Sequence, residues 1–115
     1  MIDLDVDPKL VFGFFDHGRV SKSMHDAIVT NGWCLPRVPV FEIPAHVADG
    51  HRYMLADGNT RRNVAEYLQR TLPVRIFDAH ERIITDGTLI AHFRHSSDPM
   101  LYQKLLLIYQ RKIVR

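Results

Sequence analysis

The sequence predicts a single α+β domain, and three observations point that way. Its 115 residues suit one domain and leave little for a second. Hydrophobic residues make up 46% and charged residues 24%, the balance of a chain that buries a core rather than of a disordered or collagen-like one. Short apolar runs rich in branched and aromatic residues alternate with stretches of helical periodicity, and six glycines and six prolines punctuate them without forming a linker. The expected architecture is a small mixed sheet with roughly three helices and five or six strands, continuous over residues 1–115.

Leu10 to Phe15 (LVFGFF) is a short aromatic and branched run bounded by Asp16, His17 and Gly18, so it reads as a strand. Val20, Met24, Ala27 and Ile28 then recur at helical spacing, and Asn31-Gly32 supplies a stop, which gives a helix over residues 21–30. Either Ser21 or Ser23 can cap it. With Ser23 as the cap, Asp26 completes a capping-box-like pair; with Ser21, Ser23 lies in the first turn with its hydroxyl free.

Val38 to Ile43 (VPVFEI) reads as a strand, with Pro39 at an edge or a strand start because proline lacks a ladder donor. Tyr53 to Ala56 is another strand, and the polar stretch Pro44 to Arg52 makes the two a long-looped hairpin. Beyond Asp57-Gly58, residues Val64, Tyr67, Leu68 and Leu72 share one helix face, while Arg62, Asn63, Glu66, Gln69 and Arg70 form the other. Arg62–Glu66 and Glu66–Arg70 are supporting pairs four residues apart, and Pro73 is expected to end this helix.

Val74 to Phe77 follows as a strand, and Arg82 to Phe93 as a hairpin around Asp86-Gly87. Asp98-Pro99 starts a last helix running to Arg115, with Leu101, Leu105 and Ile108 on its apolar face, widened by Tyr102, Leu106, Leu107 and Tyr109. That face suits core packing or a homodimer through the C-terminal helix.

Net charge is only +2, but it is unevenly spread. Before Gly18 stand Asp3, Asp5, Asp7 and Asp16 against Lys9, whereas from Asp98 onward Lys104, Arg111, Lys112 and Arg115 face one acid. The basic end, with Tyr109 among its cations, is a candidate nucleic-acid contact. Eleven of the 15 cations are arginine, whose planar fork suits phosphate.

Cys34 is the single cysteine, which excludes an internal disulfide framework and a Cys-rich zinc site; it is expected to be a buried, inert thiol. His92 and His95 fall on opposite faces of a strand end, and His17, His25, His46, His51 and His80 lack ligand spacing, so no metal site is expected. An acidic N-terminus and the lack of a long apolar run predict a cytoplasmic protein without a membrane partner.

The stretch YMLADGNTRRNVAEYL carries the most chemistry. A strand runs into a sharp Asp57-Gly58 turn and a helix opens with Asn59, Thr60, Arg61 and Arg62. Unpaired N–H groups and the positive dipole end attract a phosphate there, Gly58 lets it approach the backbone, and Arg61 adds a charged fork. Two cations in a first helical turn oppose the dipole, a local conflict that an anion in front of the helix resolves.

The order S-K-S-M-H-D-A-I with an N-G stop, V-P-V-F-E-I, Y-M-L-A-D-G-N-T-R-R-N-V-A-E-Y-L and L-P-V-R-I-F resembles the ParB/sulfiredoxin superfamily over residues 20–77. The resemblance implies that Gly58 and Arg61 form a G-x-x-R phosphate turn for CTP or ATP, with Asn59 and Thr60 between them, Arg62 beside them and Ala65 at a small-residue position. It also implies phosphate contacts from Lys22 and Ser23. Departures narrow the activity: the sulfiredoxin nucleophile, a cysteine directly after the glycine, is Asn59 here, and the 38 residues after Phe77 leave little room for the helical DNA-reading part of chromosome-partitioning relatives.

Nuclease or kinase relatives need a carboxylate for metal binding or proton abstraction, for which Asp57 and Asp26 are the candidates. The resemblance thus implies a stand-alone domain binding CTP or ATP with Mg²⁺ and working beside DNA as a plasmid, phage or bacterial accessory protein. Two alternatives are a non-catalytic protein- or DNA-binding module that has lost the nucleotide, and a metal-dependent nuclease.

Overall fold

Alternation with a period of two places side chains on opposite faces of a strand, and here both faces of the sheet are apolar. Strands β1 (Ile2–Val6), β2 (Val11–Phe12), β3 (Val38–Glu42), β4 (Tyr53–Leu55) and β5 (Leu72–Phe77) form one mixed sheet in the order β1-β5-β3-β4-β2. Helices α1 (Lys22–Asn31), α2 (Asn59–Tyr67) and α3 (Leu101–Ile113) complete the α+β fold. The structure, a computed structural model, describes residues 2–14, 20–79 and 100–113. The expected hairpin Arg82–Phe93, the helix start Asp98-Pro99, His17, His80, His92, His95 and Arg115 lie outside the described residues.

One face carries Val11, Val38, Val40, Tyr53, Leu55, Leu72 and Val74, packed with Ala65 of α2 and with Trp33. The other carries Phe12, Phe41, Met54 and Ala56, packed against Leu101, Leu105 and Tyr109 of α3. Consecutive residues such as Val40 and Phe41, or Met54 and Leu55, thus belong to different cores. That is why these strands read as near-continuous apolar runs instead of alternating with polar residues.

β3 and β4 form the expected antiparallel pair across the long loop, but β3 is central in the sheet, with β5 parallel on its other side. Pro39 is therefore not on an edge strand. Its place at the strand start explains its tolerance: Ala56 N–H donates to Pro39 O at 3.0 Å, and the proline returns no bond at this last step of the ladder.

Leu10–Phe15 is not one strand. Asp7 caps a single 3-10 turn, Pro8–Leu10, by accepting from Lys9 N–H at 2.9 Å, and among the described residues of this run only Val11–Phe12 pair, parallel to β4. Ser21 is the cap of α1, accepting from Met24 N–H at 3.3 Å, which leaves Ser23 in the first turn. Gly32 closes that helix, its N–H donating to Ile28 O at 2.8 Å.

α2 stops before Pro73. Its chain turns at Leu68 and at Gln69, which has φ 54°, so Leu72 and Pro73 belong to β5 rather than to a helix face. Tyr67, expected on the apolar face, is exposed, while α2 buries Val64 and Ala65. In α3 the buried seam is Leu101, Leu105 and Tyr109; Leu107 points to solvent. No helix among the described residues is long and apolar enough to cross a membrane.

β1 has no counterpart in the expected strands, because its aspartates read as a charge feature. Yet Ile2, Leu4 and Val6 alternate with Asp3 and Asp5, and arginines hold the acids. Arg75 of β5 grips Asp3 through Nε at 2.7 Å and the terminal nitrogen at 3.0 Å, while Arg37 reaches Asp5 at 3.2 Å and Leu4 O at 3.1 Å. The Arg75 hydrogen bonds, seconded by the charges of Arg75 and Arg37, hold the Asp3 carboxyl below its ordinary value near 3.8.

A depressed carboxyl contributes stability that is complete above the unfolded value and is lost as pH falls through the folded one. Asp3→Asn is therefore expected to destabilise the protein at neutral pH and to lose that deficit as pH falls below about 3.8. Denaturant melts of both proteins across pH 2 to 7 check this. A deficit that stays constant through the acid range would refute the linkage.

Candidate functional site

The turn between β4 and α2 is built around Gly58. With φ 93° and ψ 33° it is left-handed, a conformation that side chains other than glycine resist, and it occupies the N-cap of α2. Arg62 N–H closes the first turn on Gly58 O at 2.9 Å. The N-cap itself offers no side-chain hydrogen bond to the first helical N–H groups.

Arg61 folds back over this glycine. A Cβ on Gly58 would stand 3.1 Å from both Nε and Nη2 of Arg61, and 3.1 Å from Val38 Cγ1. The guanidinium donates to Asp57 Oδ2 at 2.9 Å and to Pro36 O at 2.8 Å. Both ion-pair side chains are only 13% exposed, so the charges are largely withdrawn from water.

Arg62 behaves differently from its neighbour. It was expected on the polar face with Asn63, but both are buried. Its Nε donates to Val11 O at 2.8 Å, and its Nη1 donates to Asn63 Oδ1 at 3.2 Å and to Glu66. The first of these bonds joins α2 to the start of β2, and together they explain the burial: a guanidinium enters the interior when carbonyl and carboxylate acceptors satisfy its donors. The Arg62–Glu66 pair is thus present, while the Arg70 guanidinium donates to Ile28 O at 3.2 Å.

Asn59 projects towards the chain leaving β2. Its Oδ1 is buried with no hydrogen-bond partner among the described residues, and a Cβ on Gly13 would come within 2.5 Å of it. Gly13 therefore keeps a gap that no other residue would leave open. Sequence reasoning missed this role, although a glycine inside an aromatic run (VFGF) is a signal for close approach of another group. It also missed Pro36, whose carbonyl pins Arg61.

Asp57, Gly58, Asn59, Arg61 and Arg62 are thus brought together, with Thr60 exposed beside them. Lys22, Ser23 and Asp26 stand on α1. Through His25, whose ring meets Tyr67 with centroids 5.6 Å apart, and through Ile28, α1 packs against the C-terminal end of α2. Ser23 Oγ shares a hydrogen bond with Ser21 Oγ at 3.2 Å, and Asp26 meets His25 Nδ1 at 3.0 Å. Lys22 is exposed.

On α3, Lys104 and Arg111 are exposed. Lys112 Nζ donates to Phe14 O at 2.8 Å and so ties the end of α3 to the segment after β2. Tyr109 is fully buried, which removes it as a stacking platform for a base. Cys34, expected to be buried, is exposed. Its neighbour Trp33 turns inward to the sheet face, and the thiol falls on the solvent side of the loop. No three His, Cys, Asp or Glu side chains cluster among the described residues.

Fold and site together define a small α+β domain, helices on both faces of a mixed sheet, with an arginine-bearing glycine turn at the start of one helix. Neither a scan against protein-family models nor a search of curated proteins finds a match for the chain.

Proposed function

We propose that this domain binds the phosphates of a nucleoside triphosphate, CTP or ATP with Mg²⁺, at the turn Gly58 to Arg61, and that it acts beside DNA as a ParB-like accessory protein. The observation that carries this reading is the pairing of a left-handed glycine N-cap with the Arg61 guanidinium folded onto it. N–H groups at a helix start and an arginine fork are complementary to phosphate oxygens in geometry and sign. Asn59 in place of a cysteine nucleophile argues for binding or slow hydrolysis rather than sulfiredoxin chemistry.

Calorimetric titration with CTP and with ATP in Mg²⁺ tests this directly. Wild-type protein is expected to release or absorb heat with one of them, and Arg61→Ala to bind at least about tenfold more weakly. Equal absence of heat in both proteins would sink the reading. A second reading, a binding module that has lost the nucleotide, is favoured by one observation: Arg61 and Arg62 both have partners inside the chain. Under it, no heat is seen and the exposed Lys104 and Arg111 serve a macromolecular surface.

A further inference from the structure

The Arg61 guanidinium already holds an anion, and that anion belongs to the chain. Asp57 Oδ2 accepts from Nη2 at 2.9 Å, one residue before the glycine turn, and the same arginine is steadied by Pro36 O at 2.8 Å. With each side chain 13% exposed, the carboxylate lies on the guanidinium in surroundings where water screens the attraction poorly. A phosphate entering in front of α2 would meet an arginine whose charge is spoken for.

We propose that Asp57 is a built-in competitor for Arg61, so that a phosphate is admitted by exchange for this carboxylate. The inference rests on the phosphate reading of the Gly58 turn and adds the residue that sets its affinity. Exchange makes physical sense because the two anions need the same donors. The guanidinium cannot point its Nη2 at Asp57 and at a phosphate oxygen with full strength at once. Asp57 also differs from a general carboxylate ligand: it opposes the bound phosphate unless a cation or proton accompanies the exchange.

The test uses inorganic tripolyphosphate as the probe, with wild type, Asp57→Asn and Arg61→Ala titrated by calorimetry at one ionic strength. Asparagine keeps the shape and a carbonyl acceptor for Arg61 but removes the charge, so thermal melts are expected to show it folded. The expected result is about tenfold tighter binding by Asp57→Asn than by wild type, or binding that emerges only in that variant, with Arg61→Ala weakest. Wild-type binding that Asp57→Asn leaves equal or weakens overturns the exchange and leaves the phosphate reading standing. No binding by any of the three overturns the phosphate reading and the exchange with it.

If Asp57→Asn folds poorly, the wild-type protein answers the same question by NMR. The Asp57 side-chain carboxyl carbon is expected to shift together with Arg61 Nε as tripolyphosphate is added. Movement of Arg61 with a stationary Asp57 carboxyl would overturn the exchange.

Discussion

Arg62→Ala is expected to lower folding stability by about 3 kcal/mol, measured by urea denaturation at neutral pH. The size follows from burial. The Arg62 side chain is 10% exposed, and its bonds reach Val11 O, Asn63 and Glu66 from a single fork. Truncation leaves the Val11 carbonyl without this donor in the interior and opens space beneath α2. Glu66, 39% exposed, turns to water, which keeps the loss at the lower end of the range for a broken buried pair.

Arg62→Lys is expected to recover less than half of that loss, because an ammonium on a flexible stem cannot serve Val11 O and Glu66 with the geometry of the fork. A double cycle with Glu66→Gln separates the two bonds: coupling well below the full loss assigns the larger share to the Val11 carbonyl. A loss under about 1 kcal/mol for Arg62→Ala would mean a solvated helix-surface arginine instead.

This expectation runs against the helical wheel. The pattern of α2 put Arg62 and Asn63 on the water side because polar residues usually go there. What the wheel does not contain is the strand end that passes over α2, which supplies a carbonyl to Arg62 and the Gly13 gap to Asn59. Short apolar runs and helical spacing do locate β3, β4, β5 and the helices α1, α2 and α3, since those signals depend on neighbours in sequence. β1 is legible too, in Ile2, Leu4 and Val6, but its alternating aspartates read as a charge feature. Their arginine partners, Arg75 and Arg37, are more than thirty residues away.

Asp57, Gly58 and Arg61 could be picked out locally, because a helix start, a glycine and an arginine are adjacent in the chain. Lys22 and Ser23 could not be placed that way. Where α1 lies against α2 depends on His25, Tyr67, Ile28 and Arg70, and only packing sets that. The turn is held by its own residues and by the Pro36 carbonyl.

The second large effect is expected at Tyr109, on the opposite face of the sheet. Tyr109→Ala is expected to cost about 4 kcal/mol, because the ring is fully buried and meets Phe12 edge-on with centroids 4.9 Å apart. Tyr109→Phe keeps the ring and isolates the hydroxyl. That oxygen accepts from Asp49 N–H at 2.8 Å and lies 3.4 Å from His51 Nδ1, so it fastens the loop between β3 and β4 to α3. Its removal is expected to cost about 1–2 kcal/mol and to speed hydrogen exchange at the Asp49 amide, while amides in the centre of β3 change only with global stability. Equal Asp49 exchange in wild type and Tyr109→Phe would show that the loop is held by its own turns. Local acceleration would show that α3 does more than cover the sheet: it sets the loop beside β4, the strand that leads into the Asp57-Gly58 turn.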